Sequence, residues 1–148
     1  KVPELVKNGV RVRFCGARRG VPDEVLQIID WSETETARCG RMTLVVCFNY
    51  GGRQEILDAI ADAQSNGETI SSEEDLRKHL YLPDVPDPDL IIRTSGELRI
   101  SNFWLWQGSY SEYYFTDTLW PDFGAAELKK ALQSYAGRER RYGRVEEF

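Results

Sequence analysis

Apolar and polar positions alternate along this chain with two periods, and the period switches from segment to segment. Val10-Arg11-Val12-Arg13-Phe14 alternates strictly, as a half-buried strand does. Pro22 suits a first helical turn, and Val25, Ile28 and Ile29 then recur at helical spacing to about Ala37. Met42-Thr43-Leu44-Val45-Val46-Cys47-Phe48 is nearly continuous apolar and β-branched, which predicts a central, parallel strand buried on both faces. After Asn49-Tyr50-Gly51-Gly52-Arg53, a helix is expected with Ile56, Leu57, Ile60 and Ala63 on one face and Asn66-Gly67 at its end. Ser71 with Glu74 three residues on predicts a capping box and a short helix through Leu76 and Leu80. A proline-rich connector from Pro83 to Pro88 leads into a strand over Asp89–Arg93.

Tyr113-Tyr114-Phe115 reads as a last strand, and Trp120-Pro121-Asp122 as the entry to a helix capped by Asp122. Leu128, Ala131, Leu132 and Tyr135 form that helix's expected buried stripe. The opening, Lys1 to Gly9, reads as the tail of a helix stopped by Asn8-Gly9. Strands alternating with helices predict an α/β fold, with a mainly parallel central sheet flanked by helices, as a single domain over 1–148.

Composition narrows the possible functions. A net charge of −5 leaves no broad basic excess for a nucleic-acid backbone, so anion binding must come from local clusters. No apolar run approaches the roughly 18–20 residues that span a bilayer, and no signal-peptide pattern opens the chain. Cys15, Cys39 and Cys47 are odd in number and lack CxxC spacing, which disfavours a disulfide framework or a zinc site and suits a reducing cytoplasm.

The densest chemistry lies in Arg93-Thr94-Ser95-Gly96-Glu97-Leu98-Arg99-Ile100-Ser101-Asn102, directly after the Leu90-Ile91-Ile92 strand. A strand, a polar glycine-bearing loop and a short helix are how α/β proteins hold phosphate. The arginine fork donates two bonds to one phosphate and stays charged at any working pH. A diphosphate grip and a solvated surface loop are both open readings of this stretch.

If the two loop-bearing strands are parallel, Arg53 could approach Arg93 and Arg99, although a solvated Arg53 is the favoured reading. Glu97, between Arg93 and Arg99, is expected to orient them. Glu112 sits among aromatic residues and needs a partner, either an arginine, which the residues favour, or Mg2+. His79, beside Lys78, reads as surface. The aromatic run Phe103, Trp104, Trp106 and Tyr110 suits a core or a subunit interface. Arg138 to Arg144 reads as a basic helix end.

The segment from Asp87 to Gly143 resembles the C-terminal half of cis-prenyltransferases, the undecaprenyl diphosphate synthase family. The matching stretches are PDPDLIIRTSGELRISNFWLWQ, SYSEYYFTDTLWPDF and GRERRYG; upstream, VRVRFCG, SETETARCG and FNYGGR extend the resemblance over essentially the whole chain. It implies an enzyme that condenses isopentenyl diphosphate with an allylic diphosphate, forming a cis double bond. Arg93, and the Arg-x-Ser of Arg99, Ile100 and Ser101, would bind isopentenyl diphosphate, and Glu112 would help to hold Mg2+. A cytoplasmic homodimer is the implied form, and its lipid product would allow peripheral membrane association.

Two departures qualify this resemblance. The family's Asp-Gly-Asn-Gly-Arg signature, with its catalytic aspartate, is absent, so no catalytic residue is expected in this chain, which reads as a C-terminal fragment inactive by itself. Leu98 stands where some members have a histidine near the metal, so it takes no metal role. A non-catalytic partner subunit and a general anion-binding domain are the alternatives.

Overall fold

The structure, a computed structural model, describes residues 1–138. The chain divides into two compact units, Lys1–Asp84 and the part from Val85 onward.

In the first unit, α1 (Val2–Lys7) ends at Asn8. Gly9 takes the left-handed φ of +71° that lets the chain turn into β1 (Val10–Cys15). A crossover through α2 (Asp23–Thr36) leads to β2 (Met42–Cys47), which pairs parallel with β1, Val10 opposite Met42 and Cys15 opposite Cys47. The Val12 and Phe14 amides turn away from β2 and are taken by α2: Val12 N–H donates to Thr36 Oγ1 at 2.9 Å and Phe14 N–H to Glu33 Oε1 at 2.7 Å. Thr36 Oγ1 also donates to the Ser32 carbonyl at 2.8 Å, so this fully buried hydroxyl is satisfied. Gly16 is required by close approach, because a Cβ there would run into the Phe48 carbonyl.

The parallel direction of β2 is as expected, but its burial is not. Met42 is 55% exposed and Leu44 38%. Among the described residues β1 is the only strand bonded to β2, so its apolar run is not enclosed on both sides. A similar correction applies to α3 (Gly52–Ser65), which buries Gly52, Glu55, Ala59 and Ala63 while Leu57 and Ile60 face outward. Its small residues form the packed face. Buried Glu55 accepts hydrogen bonds from Tyr50 Oη at 2.6 Å and from Tyr81 N–H at 3.2 Å. Burial, reinforced by the bond to Glu55, pushes the Tyr50 phenol well above its ordinary range.

Helix α4 (Glu73–His79) is capped one residue later than expected. Ser72 Oγ accepts from Asp75 N–H at 3.2 Å, and Asp75 takes the role expected of Glu74, accepting from Ser71 N–H and Oγ. Hydrogen bonds from Ser72, Ser71 and Lys78 hold the Asp75 carboxyl well below the usual carboxylate range. The helix ends at His79, one residue short of the expected Leu80, and Leu76 and Leu80 are buried.

In the second unit, β3 (Leu90–Arg93) pairs parallel with β4 (Glu112–Phe115), Leu90 opposite Glu112 and Arg93 opposite Phe115. The short helix expected after the loop does not form. Ser101, Asn102 and Trp104 have φ of +48°, +64° and +39°, which break a right-handed helix, and the segment runs as turns. Asp122 belongs to a 3-10 turn over Trp120–Asp122, and Gly124 is the N-cap of α5 (Ala125–Ala136). Of that helix's expected stripe only Ala131 is fully buried, while Leu128 and Leu132 are 43% and 51% exposed. The parallel strands and alternating helices make this an α/β fold, with one strand pair in each unit among the described residues. Among the described residues no helix is long and apolar enough to cross a membrane.

Candidate functional site

Strand β3 delivers Arg93 to its carboxyl end, where the polar loop begins. The loop is pinned at once: Ser95 N–H donates to the Thr118 carbonyl at 2.9 Å and Gly96 N–H to the Thr116 carbonyl at 3.0 Å. Ser95 and Gly96 both have left-handed φ, +69° and +68°. A Cβ on Gly96 would lie 3.1 Å from Asp117 Oδ1, so glycine serves both the φ and the close approach. The loop then turns back over the β3–β4 face. Gly108 permits this, because a Cβ there would lie 2.7 Å from the Trp104 carbonyl and 3.1 Å from Ile91 Cδ1.

Between loop and strands lies a cavity of about 180 Å³, lined by Arg93, Arg99, Ile100, Phe103, Ile91 and Tyr113 among others. Ile91 and Tyr113 are register partners, as are Arg93 and Phe115, so these side chains share one face. The Tyr113 and Phe115 rings stack at 5.8 Å. An apolar, partly aromatic wall thus carries two guanidinium groups. Arg93 Nε is buried with no hydrogen-bond partner among the described residues. A buried donor in that state costs about 1–3 kcal/mol unless a ligand supplies an acceptor. Arg99 is instead paired with Glu97.

Of the expected site residues, the fold gathers Arg93, Arg99 and Ile100 around one cavity. Ser101 is exposed on the same loop, outside the cavity's lining. Glu112 begins β4, opposite Leu90, three residues from the Arg93 end of the pair, which is about 10 Å at the usual strand rise. Its partner is Arg138, whose Nη1 lies 2.7 Å from Glu112 Oε2. The remainder of the expected basic cluster, residues 139–144, lies outside the described residues.

Among the described residues no three His, Cys, Asp or Glu side chains converge to hold a metal. Glu112 does fit as one protein ligand for Mg2+, an ion that takes one or two carboxylates and completes its shell with water and phosphate oxygens. Arg138 occupies only one of its two oxygens.

The other polar loop belongs to the first unit. Asn49, at φ +50°, donates to the Ala17 carbonyl at 2.7 Å, and Arg53 is the second residue of α3, which begins at Gly52. A larger cleft, about 600 Å³, opens there beside Gly16, Arg19, Phe48, Asp58 and Tyr81. Its charges are internally satisfied, Arg19 lying 2.7 Å from Asp58. Burial pushes Asp58 up, but hydrogen bonds from Arg19, Tyr81 and Gln54 outweigh it and hold the carboxyl below its ordinary value.

His79 is not the surface residue expected. Its side chain is only 7% exposed, with Nδ1 2.7 Å from Asp62 Oδ2 and Nε2 3.3 Å from Glu68 Oε2. The bond to Asp62, aided by Glu68, raises the imidazole pKa. Phe103, Tyr113, Ile91 and Ile92 are the lining residues that sequence reasoning did not assign to the site. Strand register alone could have placed Ile91 and Tyr113 beside Arg93; nothing local marks Phe103.

Residues 1–143 match the family described as putative undecaprenyl diphosphate synthase. An isoprenyl transferase of Thermotoga maritima is 54% identical over 145 residues, covering 94% of this chain and 61% of that protein. One from Fusobacterium nucleatum is 50% identical, covering 95% and 61%. This chain therefore spans about three fifths of the length of these curated relatives. Among solved structures, a probable undecaprenyl diphosphate synthase from Campylobacter jejuni superposes with a TM-score of 0.89 at 34% identity, covering 97% of this chain and 67% of that one. Lavandulyl diphosphate synthase from Lavandula x intermedia, solved in complex with dimethylallyl diphosphate, gives 0.88 at 35%, covering 97% and 65%. In sequence and in fold, this chain belongs to the undecaprenyl diphosphate synthase family of prenyltransferases.

Proposed function

We propose that this chain carries the isopentenyl diphosphate half of a prenyl-transfer site. The protein would condense isopentenyl diphosphate with an allylic diphosphate to give a Z-polyprenyl diphosphate. The observation that carries this reading is the pair of guanidinium groups, Arg93 and Arg99, on one cavity with an apolar wall. A diphosphate joined to a short hydrocarbon has the matching two-part chemistry. Each guanidinium can donate two parallel bonds to phosphate oxygens, which fixes the anion and thereby the attached alkene. Phe103, Ile91 and Tyr113, which line the cavity, would keep water from the hydrocarbon. Ser101, close behind Arg99 in sequence, would add a hydroxyl to the bound diphosphate.

Glu112 would be a Mg2+ ligand, and the ion would offset the charge of a departing diphosphate. The lavandulyl diphosphate synthase complex with dimethylallyl diphosphate supports an allylic diphosphate as the second substrate. Leu128 and Leu132, exposed on α5, support a homodimer. The odd number of cysteines, Cys15, Cys39 and Cys47, and their lack of CxxC spacing suit a reducing cytoplasm.

Calorimetric titration with isopentenyl diphosphate, inorganic pyrophosphate and sulfate tests the reading. Both diphosphates should bind more tightly than sulfate, and Arg93→Ala should abolish that preference. Equal affinity for all three anions would leave only a general anion site.

A further inference from the structure

Two arginines that border one cavity are held in opposite ways. Arg93 is anchored at the end of β3 with a buried Nε that has no hydrogen-bond partner among the described residues, so it is ready to receive an acceptor. Arg99 is already occupied: the carboxylate of Glu97, two residues earlier, sits on its Nη1. The pairing follows from the loop's construction. Ser95 and Gly96 are fixed to the carbonyls of Thr118 and Thr116, which sets where the chain leaves for Glu97. The pair is open to water, with Arg99 67% and Glu97 34% exposed at the side chain. An exposed ion pair is weakly held. A guanidinium fork binds phosphate more strongly, through parallel charge-assisted bonds. A phosphate group therefore outcompetes Glu97, but must displace it first.

We infer that Glu97 is an internal counter-anion that occupies Arg99 in the empty site and is exchanged for the second phosphoryl group of a bound diphosphate. The inference rests on the reading of this cavity as a diphosphate site. The first phosphoryl group meets Arg93, whose buried Nε has no partner to give up among the described residues. The second meets Arg99 only as Glu97 leaves it. Glu97 is thus a positioning residue: it keeps Arg99 at the cavity rim while empty and lowers the affinity for anions that cannot reach both arginines. Orthophosphate, with one phosphoryl group, is served by Arg93 alone.

The test is calorimetric titration of the full chain with inorganic pyrophosphate and with orthophosphate, for wild type, Glu97→Gln, Arg99→Ala and the double variant, each checked for a native melting transition. Glu97→Gln should tighten pyrophosphate binding up to about fivefold, the upper range for releasing an exposed ion pair, and change orthophosphate binding less than twofold. In the Arg99→Ala background Glu97→Gln should have no effect, because the pair no longer exists. Equal tightening for both anions would show simple loss of a negative charge and overturn the exchange. Weaker pyrophosphate binding in Glu97→Gln would also overturn it, leaving Glu97 as an orienting group only. If wild type binds neither anion, the diphosphate reading of the cavity falls, and the exchange falls with it.

Discussion

At the residue scale, the cavity's chemistry depends on how each charged side chain is partnered. Arg93 and Arg99 have the same head group, yet one keeps a buried Nε with no partner among the described residues and the other a half-exposed carboxylate partner. Removing either should cost the charge-assisted bonds to a diphosphate, about 1.5–3 kcal/mol, so Arg93→Ala or Arg99→Ala should weaken pyrophosphate binding roughly 10- to 100-fold by calorimetry. Arg93→Lys should restore little, because an ammonium cannot reproduce the planar fork.

Glu112 was readable as a carboxylate in need of a partner, and Arg138 is that partner. His79 was misread because its neighbour in sequence, Lys78, is exposed, whereas its partners Asp62 and Glu68 are close only after folding. Both ring nitrogens face carboxylates, and both can donate only when the ring is protonated. The folded pKa is raised, so this contribution to stability is complete below the unfolded value of about 6.5 and is lost as pH rises through the folded value. Urea unfolding of the wild type should therefore show stability falling across that window, with the fall absent in His79→Gln. An unchanged pH profile in the variant would remove His79 as its source.

At the element scale, local pattern located the strands and helices, while their exposed and buried faces came from packing. The alternation at Val10–Phe14 gave β1, but did not show that α2 would satisfy the amides that β2 leaves unbonded. Thr36→Val keeps the shape of that contact and leaves Val12 N–H buried without an acceptor. It should destabilise the first unit by about 1–3 kcal/mol in urea unfolding. The serine pair before α4 shows the usual limit on element ends. Ser71 and Ser72 are both plausible caps, and the structure uses Ser72, so Ser72→Ala should cost about 1 kcal/mol. The helix expected after Arg93–Asn102 failed for a different reason: left-handed φ at Ser101, Asn102 and Trp104 folds that segment over Ile91 and Tyr113, where the cavity forms.

At the scale of the whole molecule, apolar surface remains at Leu128 and Leu132, and the proposed homodimer provides a direct test. Leu128→Glu with Leu132→Glu should lower the molar mass measured by light scattering from dimer to monomer. An unchanged mass would place any dimer contact elsewhere.

The sequence alone determined the order of strands and helices, the parallel direction, the family, and the stretch holding the two arginines. These are carried by near-neighbour spacing and by short motifs. Tertiary structure alone decided that Arg93 and Arg99 share a cavity with Ile91, Phe103 and Tyr113, that Glu112 stands at the far end of the strand pair, and that His79 is clamped between two acids. The physical reason is separation along the chain. Pairings between distant residues depend on which faces pack together, and an apolar run such as Met42–Phe48, or a helical stripe such as Leu128 and Leu132, does not itself say what will cover it.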